Sequence, residues 1–316
     1  SLAVVFFSFW TETEVSSMFA GSFVALITPF KNNAIDERCL AGLVDWHIKS
    51  GTHGIVPCGT TGESATLSHD EHREVVRLVV SVADKRVPIL AGTGSNSTAE
   101  AVRMTCEAQE AGADGALMIS PYYNRPPQEG IYRHYKSVAE AAAGFPIVFY
   151  NIPSRTGSNI LPDTMARLAK ISNIVGVKEA TGSIDQVIDI RLACGDEFSI
   201  LSGEDTLTYS MMALGGSGVI STAANVVPAA MADLVNAGLK KDWAKACSIQ
   251  LGLVPLIRAL FVETNPIPVK TALAMMGPGH RTVVVDFIPT AENLAKWAFE
   301  QVQPHIQTAY GNQLRL

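Results

Sequence analysis

The residue in this chain whose setting points most directly to covalent chemistry is Lys178, in the stretch Asn173-Ile-Val-Gly-Val-Lys-Glu-Ala-Thr-Gly182. Residues 174–177 are small or β-branched and read as a buried parallel strand, an element that does not ordinarily end on a bare ammonium. On a period of two, Ile174, Gly176 and Lys178 share one face and Val175, Val177 and Glu179 the other, so Glu179 is not the direct partner of Lys178. Gly176, without a side chain, leaves space beside the lysine stem. An amine held in a desolvated pocket has its pKa lowered, and the neutral form that results can attack a carbonyl. The alternative is a lysine snorkelling from a strand end to water, which this segment alone leaves open.

Other groups able to handle protons or bind anions follow other apolar runs. Gly59-Thr60-Thr61-Gly62-Glu63-Ser64 combines glycines with hydroxyls, and the N–H groups of such a loop can hold a carboxylate; it could equally be an ordinary turn. Ser120-Pro-Tyr122-Tyr123-Asn124 carries two adjacent phenols that cannot face the same way. One is free to look into a site and the other toward a neighbour, or both to pack as plain aromatics. Tyr150-Asn-Ile-Pro-Ser-Arg155-Thr-Gly157 places a phenol at a strand end as a candidate proton carrier, with a guanidinium five residues on that suits a carboxylate. Tyr150 could also be a core residue with a satisfied hydroxyl. The combination of amine, phenol, guanidinium and hydroxyl loop weighs more than any member.

These groups need a scaffold that brings strand ends together. Short apolar runs at 23–27, 54–57, 87–91, 115–119, 146–150, 174–178, 198–201 and 218–220 alternate with segments of helical length at 36–50, 68–83, 98–111, 129–143, 162–169, 183–194 and 205–214. That rhythm predicts βα units and a parallel sheet, and eight units over roughly 200 residues is the period of a (β/α)8 barrel, the TIM barrel, whose active site lies at the C-terminal ends of the strands. Ser68 and Glu71 form a capping box for one helix. The residues divide into a barrel over 18–223 and a C-terminal helical layer over 224–306, with helices at 227–237, 240–261, 268–276 and 291–302 and a loop at 283–285. Residues 1–17, apolar from Leu2 to Trp10 but too short to span a bilayer and lacking a basic start, read as a leader outside the fold, Met18 as the natural beginning, and 307–316 as a frayed tail.

Composition narrows the function. The chain has 316 residues, 47% hydrophobic and 17% charged, enough for a large core. Its net charge of −6 argues against nucleic acid or an anionic membrane as partner and leaves small molecules. Five scattered cysteines without metal-type spacing suit free thiols in a reducing cytoplasm.

Taken together, Gly59-Thr-Thr-Gly-Glu-Ser64, Tyr122-Tyr123-Asn124, Tyr150-Asn-Ile-Pro-Ser-Arg-Thr-Gly157, Gly176-Val-Lys-Glu-Ala-Thr-Gly182 and Asn265-Pro-Ile-Pro-Val-Lys270 make the chain resemble the dihydrodipicolinate synthase family of pyruvate-dependent class I aldolases, which includes N-acetylneuraminate lyase. The resemblance runs in unbroken order from about Met18 to about Met276, and Arg155 favours the synthases over the sugar-acid lyases. Cys58 and Glu204 are small departures not expected to alter the reaction. The resemblance implies that Lys178 forms a Schiff base with pyruvate, whose enamine attacks L-aspartate 4-semialdehyde to give 4-hydroxytetrahydrodipicolinate. It further implies a proton relay of Tyr150, Thr60 and Tyr123, the last from a neighbouring subunit. Thr61 would hold the pyruvate carboxylate, Arg155 that of the semialdehyde, and Gly203 and Ile220 would line the pocket. Neither cofactor nor metal is called for, because the iminium supplies the polarisation.

The same resemblance implies a homotetramer of two tight dimers and a regulatory site for the inhibitor L-lysine at Ser64, Ala65, His69, His72, Asn96, Glu100 and Tyr122. Helical spacing would put His69 with His72, and Asn96 with Glu100, on shared faces, with Glu100 free to hold an α-ammonium. A solvated helix edge is the plainer reading of those residues. Two rival functions are an aldolase of the same fold acting on another 2-oxo acid, and a non-catalytic sensor of pyruvate or lysine. In a sensor, Lys178, Tyr150 and Arg155 would be expected to have drifted.

Overall fold

A computed structural model of the protein describes residues 19–276. Eight strands form its centre: β1 (Gly21–Ala25), β2 (Gly54–Val56), β3 (Leu90–Gly92), β4 (Gly115–Ile119), β5 (Ile147–Asn151), β6 (Ile174–Glu179), β7 (Ser199–Ser202) and β8 (Gly218–Ser221). All pairings are parallel, in the order β2-β1-β8-β7-β6-β5-β4-β3, and a parallel bridge between Ile55 and Ile89 joins the two ends, so the sheet closes into a barrel. Between and after the strands lie α1 (Glu37–Lys49), α2 (His69–Ala83), α3 (Thr98–Glu110), α4 (Gln128–Ala141), α5 (Pro162–Leu168), α6 (Ile184–Cys194), α7 (Thr208–Ala213), α8 (Pro228–Leu239), α9 (Trp243–Ala259) and α10 (Ile267–Met275). The fold is the (β/α)8 barrel with appended C-terminal helices that the strand rhythm predicts.

Two apolar layers follow from strand alternation. Phe23, Val56, Leu90, Leu117, Val148 and Leu201 point inward and fill the barrel, whereas Val24, Ile55, Ala91, Met118, Phe149 and Ile200 point outward against the helices. β6 departs from that alternation at its start. The register passes from Ile147 opposite Ile174 to Val148 opposite Gly176, so Val175 is an extra residue in the strand, a bulge. Ile174 consequently packs in the outer layer with Val177, and Val175 against the inner one. The shared face assigned to Ile174, Gly176 and Lys178 by strict alternation is therefore wrong at Ile174, and the bulge is the reason. From Val177 onward the alternation holds.

Local signals account for the helix starts. Ser68 accepts from Glu71 N while the Glu71 carboxylate accepts from Ser68 N, and Asp36, Ser97, Ser183 and Asp242 cap α1, α3, α6 and α9 in the same N-terminal manner. Three features were not legible beforehand. A hairpin of two-residue arms, Phe30–Lys31 and Ala34–Ile35, follows β1; a four-residue helix, Pro153–Thr156, follows β5; and the helix expected over 205–214 divides into a 3-10 turn, Asp205–Leu207, and α7. After Ser221 the described elements are helical, and α8 packs on β1, β8 and α9. The leader over 1–17, the loop at 283–285, the helix at 291–302 and the tail from 307 lie outside the described residues. Among the described residues no helix is long and apolar enough to cross a membrane.

Candidate active site

β6 carries Lys178 into the barrel mouth between Tyr150 of β5 and Leu201 of β7, its register partners. The side chain is 7% exposed, and its Nζ lies 4.3 Å from the centre of the Tyr150 ring. Burial is the largest influence on the amine and lowers its pKa to about 8; Asp205 and Glu204 pull it back up, and Arg155 adds to the lowering. Glu179 is not a partner of the amine. It points outward, accepting from Thr181 N (2.7 Å), Asn151 Nδ2 (3.0 Å) and Gln186 Nε2 (3.1 Å). The room beside the lysine stem comes from Gly203 and not from Gly176. A Cβ on Gly203 would lie 3.2 Å from Lys178 Cε and 2.6 Å from Ala180 Cβ, whereas one on Gly176 would meet Ser199. Gly176 permits close strand approach, and Gly203 permits the lysine.

Tyr150, 6% exposed, lies close enough to Thr60 for its hydroxyl to act on the phenol. Burial drives its phenol pKa well up, with Arg155 and Thr60 opposing and Glu204 adding, so at neutral pH the group is a protonated phenol. Thr61 is buried; its hydroxyl accepts from Asn265 Nδ2 at 2.9 Å and sits 3.4 Å from Thr222 Oγ1. Arg155, exposed on the short helix after β5, is close enough to act electrostatically on both Lys178 and Tyr150. Ile220 of β8 lines the barrel interior. The structure thus gathers Lys178, Tyr150, Thr60, Thr61, Arg155, Gly203 and Ile220 at one end of the barrel. Tyr123 is not among them within this chain: it is 90% exposed, at φ 71°, directed to solvent.

The residues assigned to an L-lysine site lie in the loop before α2 and in its first turn (Ser64, Ala65, His69, His72), at the start of α3 (Asn96, Glu100) and after β4 (Tyr122). His69 is exposed and its Nε2 is 3.1 Å from Glu100 Oε1, and Glu100 also engages Ser95 and Arg103, so its carboxylate is already occupied. His72 is turned inward, its Nε2 2.8 Å from Gly92 O, and burial lowers its pKa. His69 and His72 lie one turn apart and Glu100 acts on both, yet one meets solvent and the other the core. Asn96 precedes the Ser97 cap of α3, so the helical spacing invoked with Glu100 does not apply to it. Ser64, Asn96 and Tyr122 are half-buried and Ala65 is exposed.

Two acids follow β7: Asp205, which the strand pattern does not single out, and Glu204, whose reading as a departure without effect is corrected by its action on Lys178. Asp205 is buried, accepts from Thr222 N (3.1 Å) and Ala223 N (2.9 Å), and has its pKa raised by burial; Glu204, also raised by burial, joins it in acting on Lys178. An acidic pair directly after a strand was the available signal. Among the described residues no group of three or more His, Cys, Asp or Glu could hold a metal ion.

Residues 18–300 match the model of the dihydrodipicolinate synthetase family. The chain belongs to that family. Membership makes it an enzyme, a lyase. Among curated members, 4-hydroxy-tetrahydrodipicolinate synthase of Syntrophus aciditrophicus is 59% identical over 260 residues, covering 82% of this chain and 89% of that one. Two solved members of the dihydrodipicolinate synthase family superpose closely. That from Acinetobacter baumannii, chloride-inhibited and complexed with pyruvate, is 42% identical with a TM-score of 0.83, covering 90% of this chain and 99% of that one. That from Cyanidioschyzon merolae, with lysine bound, is 36% identical with a TM-score of 0.84, covering 91% and 99%.

Proposed function

We propose that the chain condenses pyruvate with L-aspartate 4-semialdehyde through a Schiff base on Lys178, giving 4-hydroxy-tetrahydrodipicolinate for lysine and diaminopimelate synthesis in the cytoplasm. The observation that carries this reading is a buried amine lowered to about 8 and set 4.3 Å from the Tyr150 ring. The neutral amine adds to the keto carbon of pyruvate, and loss of water leaves a protonated imine. The imine draws electrons from the methyl carbon, which releases a proton to become an enamine. That carbon then bonds to the aldehyde of the second substrate. Finally the semialdehyde's own amine attacks the imine carbon, closes the ring and expels Lys178. Thr61 and the loop amides around it hold the pyruvate carboxylate, Arg155 that of the semialdehyde, and backbone groups of Gly203 and Ile220 complete the pocket.

Protons move several times along this route, and the Tyr150–Thr60 pair is positioned to carry them away from bulk water. The exposure of Tyr123 fits a role completed by a second copy, in a homotetramer built from two tight dimers. The pyruvate-bound and lysine-bound relatives support the substrate and an L-lysine inhibitor respectively. Borohydride reduction in the presence of pyruvate, followed by mass mapping, is expected to place the adduct on Lys178; an adduct on Lys170 or Lys270 instead overturns the assignment. Titration calorimetry with L-lysine should show heat, and its absence together with uninhibited turnover removes the regulatory site.

A further inference from the structure

The motif Asn265-Pro-Ile-Pro-Val-Lys270 lies about 90 residues beyond the proposed nucleophile and has no role in the reaction as described above. In the fold it reaches back to the first hydroxyl loop. Asn265, buried, donates from Nδ2 to Thr61 Oγ1 at 2.9 Å, and Lys270, 2% exposed, donates from Nζ to Glu63 Oε1 at 2.5 Å while lying 4.7 Å from the centre of the Phe30 ring. Both contacts span more than 200 residues of chain.

The loop they meet makes local turn hydrogen bonds, among them Gly62 N to Gly59 O and Glu63 N to Thr60 O, but these alone do not fix its shape. Glu63 sits at φ 60° and Cys58 at φ 54°, both in the left-handed region, a conformation that L side chains adopt at a cost unless their surroundings enforce it. Gly62 is pressed so closely on the backbone that a Cβ there would come within 2.9 Å of Leu26 O, and its carbonyl accepts from Thr28 Oγ1 at 2.7 Å. Thr28 therefore holds one side of the loop, and the C-terminal segment holds the other.

The direction of the Asn265 bond matters to chemistry. A hydroxyl has one proton and two lone pairs. Because the amide occupies Thr61 Oγ1 as a donor, the hydroxyl proton of Thr61 is left to be given elsewhere, to Thr222 Oγ1 or to an incoming anion. A residue that accepted from Thr61 would consume that proton.

We propose that Asn265 and Lys270 are positioning residues for the 2-oxo acid: Asn265 turns the Thr61 hydroxyl into an obligate donor toward the substrate carboxylate, and the Lys270–Glu63 pair pins the loop that presents it. This rests on the reading of Thr61 as a carboxylate ligand. It also assigns Lys270 a role that excludes it as the nucleophile, since its ammonium is committed to Glu63.

The test is the pyruvate concentration that half-saturates borohydride trapping, measured at pH 8 beside kcat and the melting temperature. Asn265→Asp preserves shape but converts donor to acceptor and places charge near the ligand; Asn265→Leu removes the bond without replacing it. Losing one hydrogen bond to a charged group predicts about a tenfold rise in half-saturating pyruvate for Asn265→Leu, and a larger rise for Asn265→Asp, with the half-saturating semialdehyde concentration unchanged. Lys270→Met should raise half-saturating pyruvate, and the double variant Lys270→Met/Glu63→Gln, which removes the stranded carboxylate, should recover part of it. If Asn265→Asp traps like the wild type, or if melting temperature falls while half-saturation by pyruvate stays within twofold, the proposal is overturned. If the wild type itself fails to trap on Lys178, it is the proposed function that falls.

Discussion

Replacing Lys178 by Met should destroy activity and stabilise the fold, by an amount that depends on pH. The amine's pKa moves from the ordinary 10.5 to about 8, chiefly through burial. The difference, 10.5 minus 8, converts to about 3 kcal/mol at 1.36 kcal/mol per unit. The sign follows from proton binding. Between pH 8 and 10.5 the unfolded chain holds more protons at this site than the folded one, so folded stability rises with pH across that window. Below pH 8 both states are mainly protonated, and the folded protein bears the whole penalty of a buried ammonium. Met, of similar length and without charge, carries none.

The variant's advantage over the wild type should therefore be about 3 kcal/mol at pH 7 and shrink to about 1 kcal/mol at pH 10, with any packing difference adding a constant offset. Denaturant unfolding of both proteins at pH 7, 8.5 and 10 measures this, since titrating groups that do not interact with Lys178 cancel in the difference, leaving Glu204 and Asp205 as the coupled ones. The same shift leaves about one amine in ten neutral at pH 7, against about one in 3,000 for an ordinary lysine, so the rate of trapping by pyruvate should rise with pH and level off near 8. An advantage that stays constant with pH to within about 0.5 kcal/mol, or a variant less stable at pH 7 than at pH 10 relative to the wild type, refutes the claim that desolvation activates the amine.

Three further outcomes are expected. Tyr150→Phe should lower kcat by about 100-fold or more while borohydride still traps pyruvate on Lys178, as mass mapping will show. Arg155→Ala should raise the KM for the semialdehyde and leave half-saturation by pyruvate within about twofold, which initial-rate kinetics in both substrates separates. Gly203→Ala, whose Cβ would crowd Ala180 and Lys178 Cε, should cost about 1–3 kcal/mol by overpacking and slow trapping more than it lowers the denaturant midpoint would suggest.

What was legible in the sequence was what depends on local pattern. Strand period and helix length place eight βα units, and groups following strand ends fall together because a barrel brings every such end to one mouth. Lys178, Tyr150 and Thr60 are legible for that reason. The bulge at Val175 was not, because an extra residue in one strand leaves no mark on composition and shows only in register with β5. Gly203 was named as a pocket residue, but that it rather than Gly176 makes room for the lysine depends on which neighbour each glycine faces across the sheet. His69 and His72 have helical spacing, yet spacing says only that two residues are near; what packs on α2 decides that one is wet and the other buried. Asn265 and Lys270 act on residues more than 200 positions away, beyond any local rule.

Glu204 and Asp205 present a conflict whose resolution bears on the reaction. Both carboxylates pull the Lys178 amine upward, against burial, and so work against the neutral nucleophile. Burial wins, and it also raises the pKa of both acids, which weakens their pull on the free amine. On the proposed route the lysine nitrogen then changes character: once joined to the keto carbon it is a protonated imine, whose positive charge must persist in the same dry site until the methyl proton has left. The groups that hinder the first step are the groups that steady the second, and a cation fixed there favours their ionised forms. A site with no acid nearby would have a lower amine pKa but an iminium without electrostatic support, whereas an exposed acidic pair would keep the amine charged. Burying amine and acids together makes the balance shift when the covalent bond forms, so nucleophile and electron sink can be the same nitrogen.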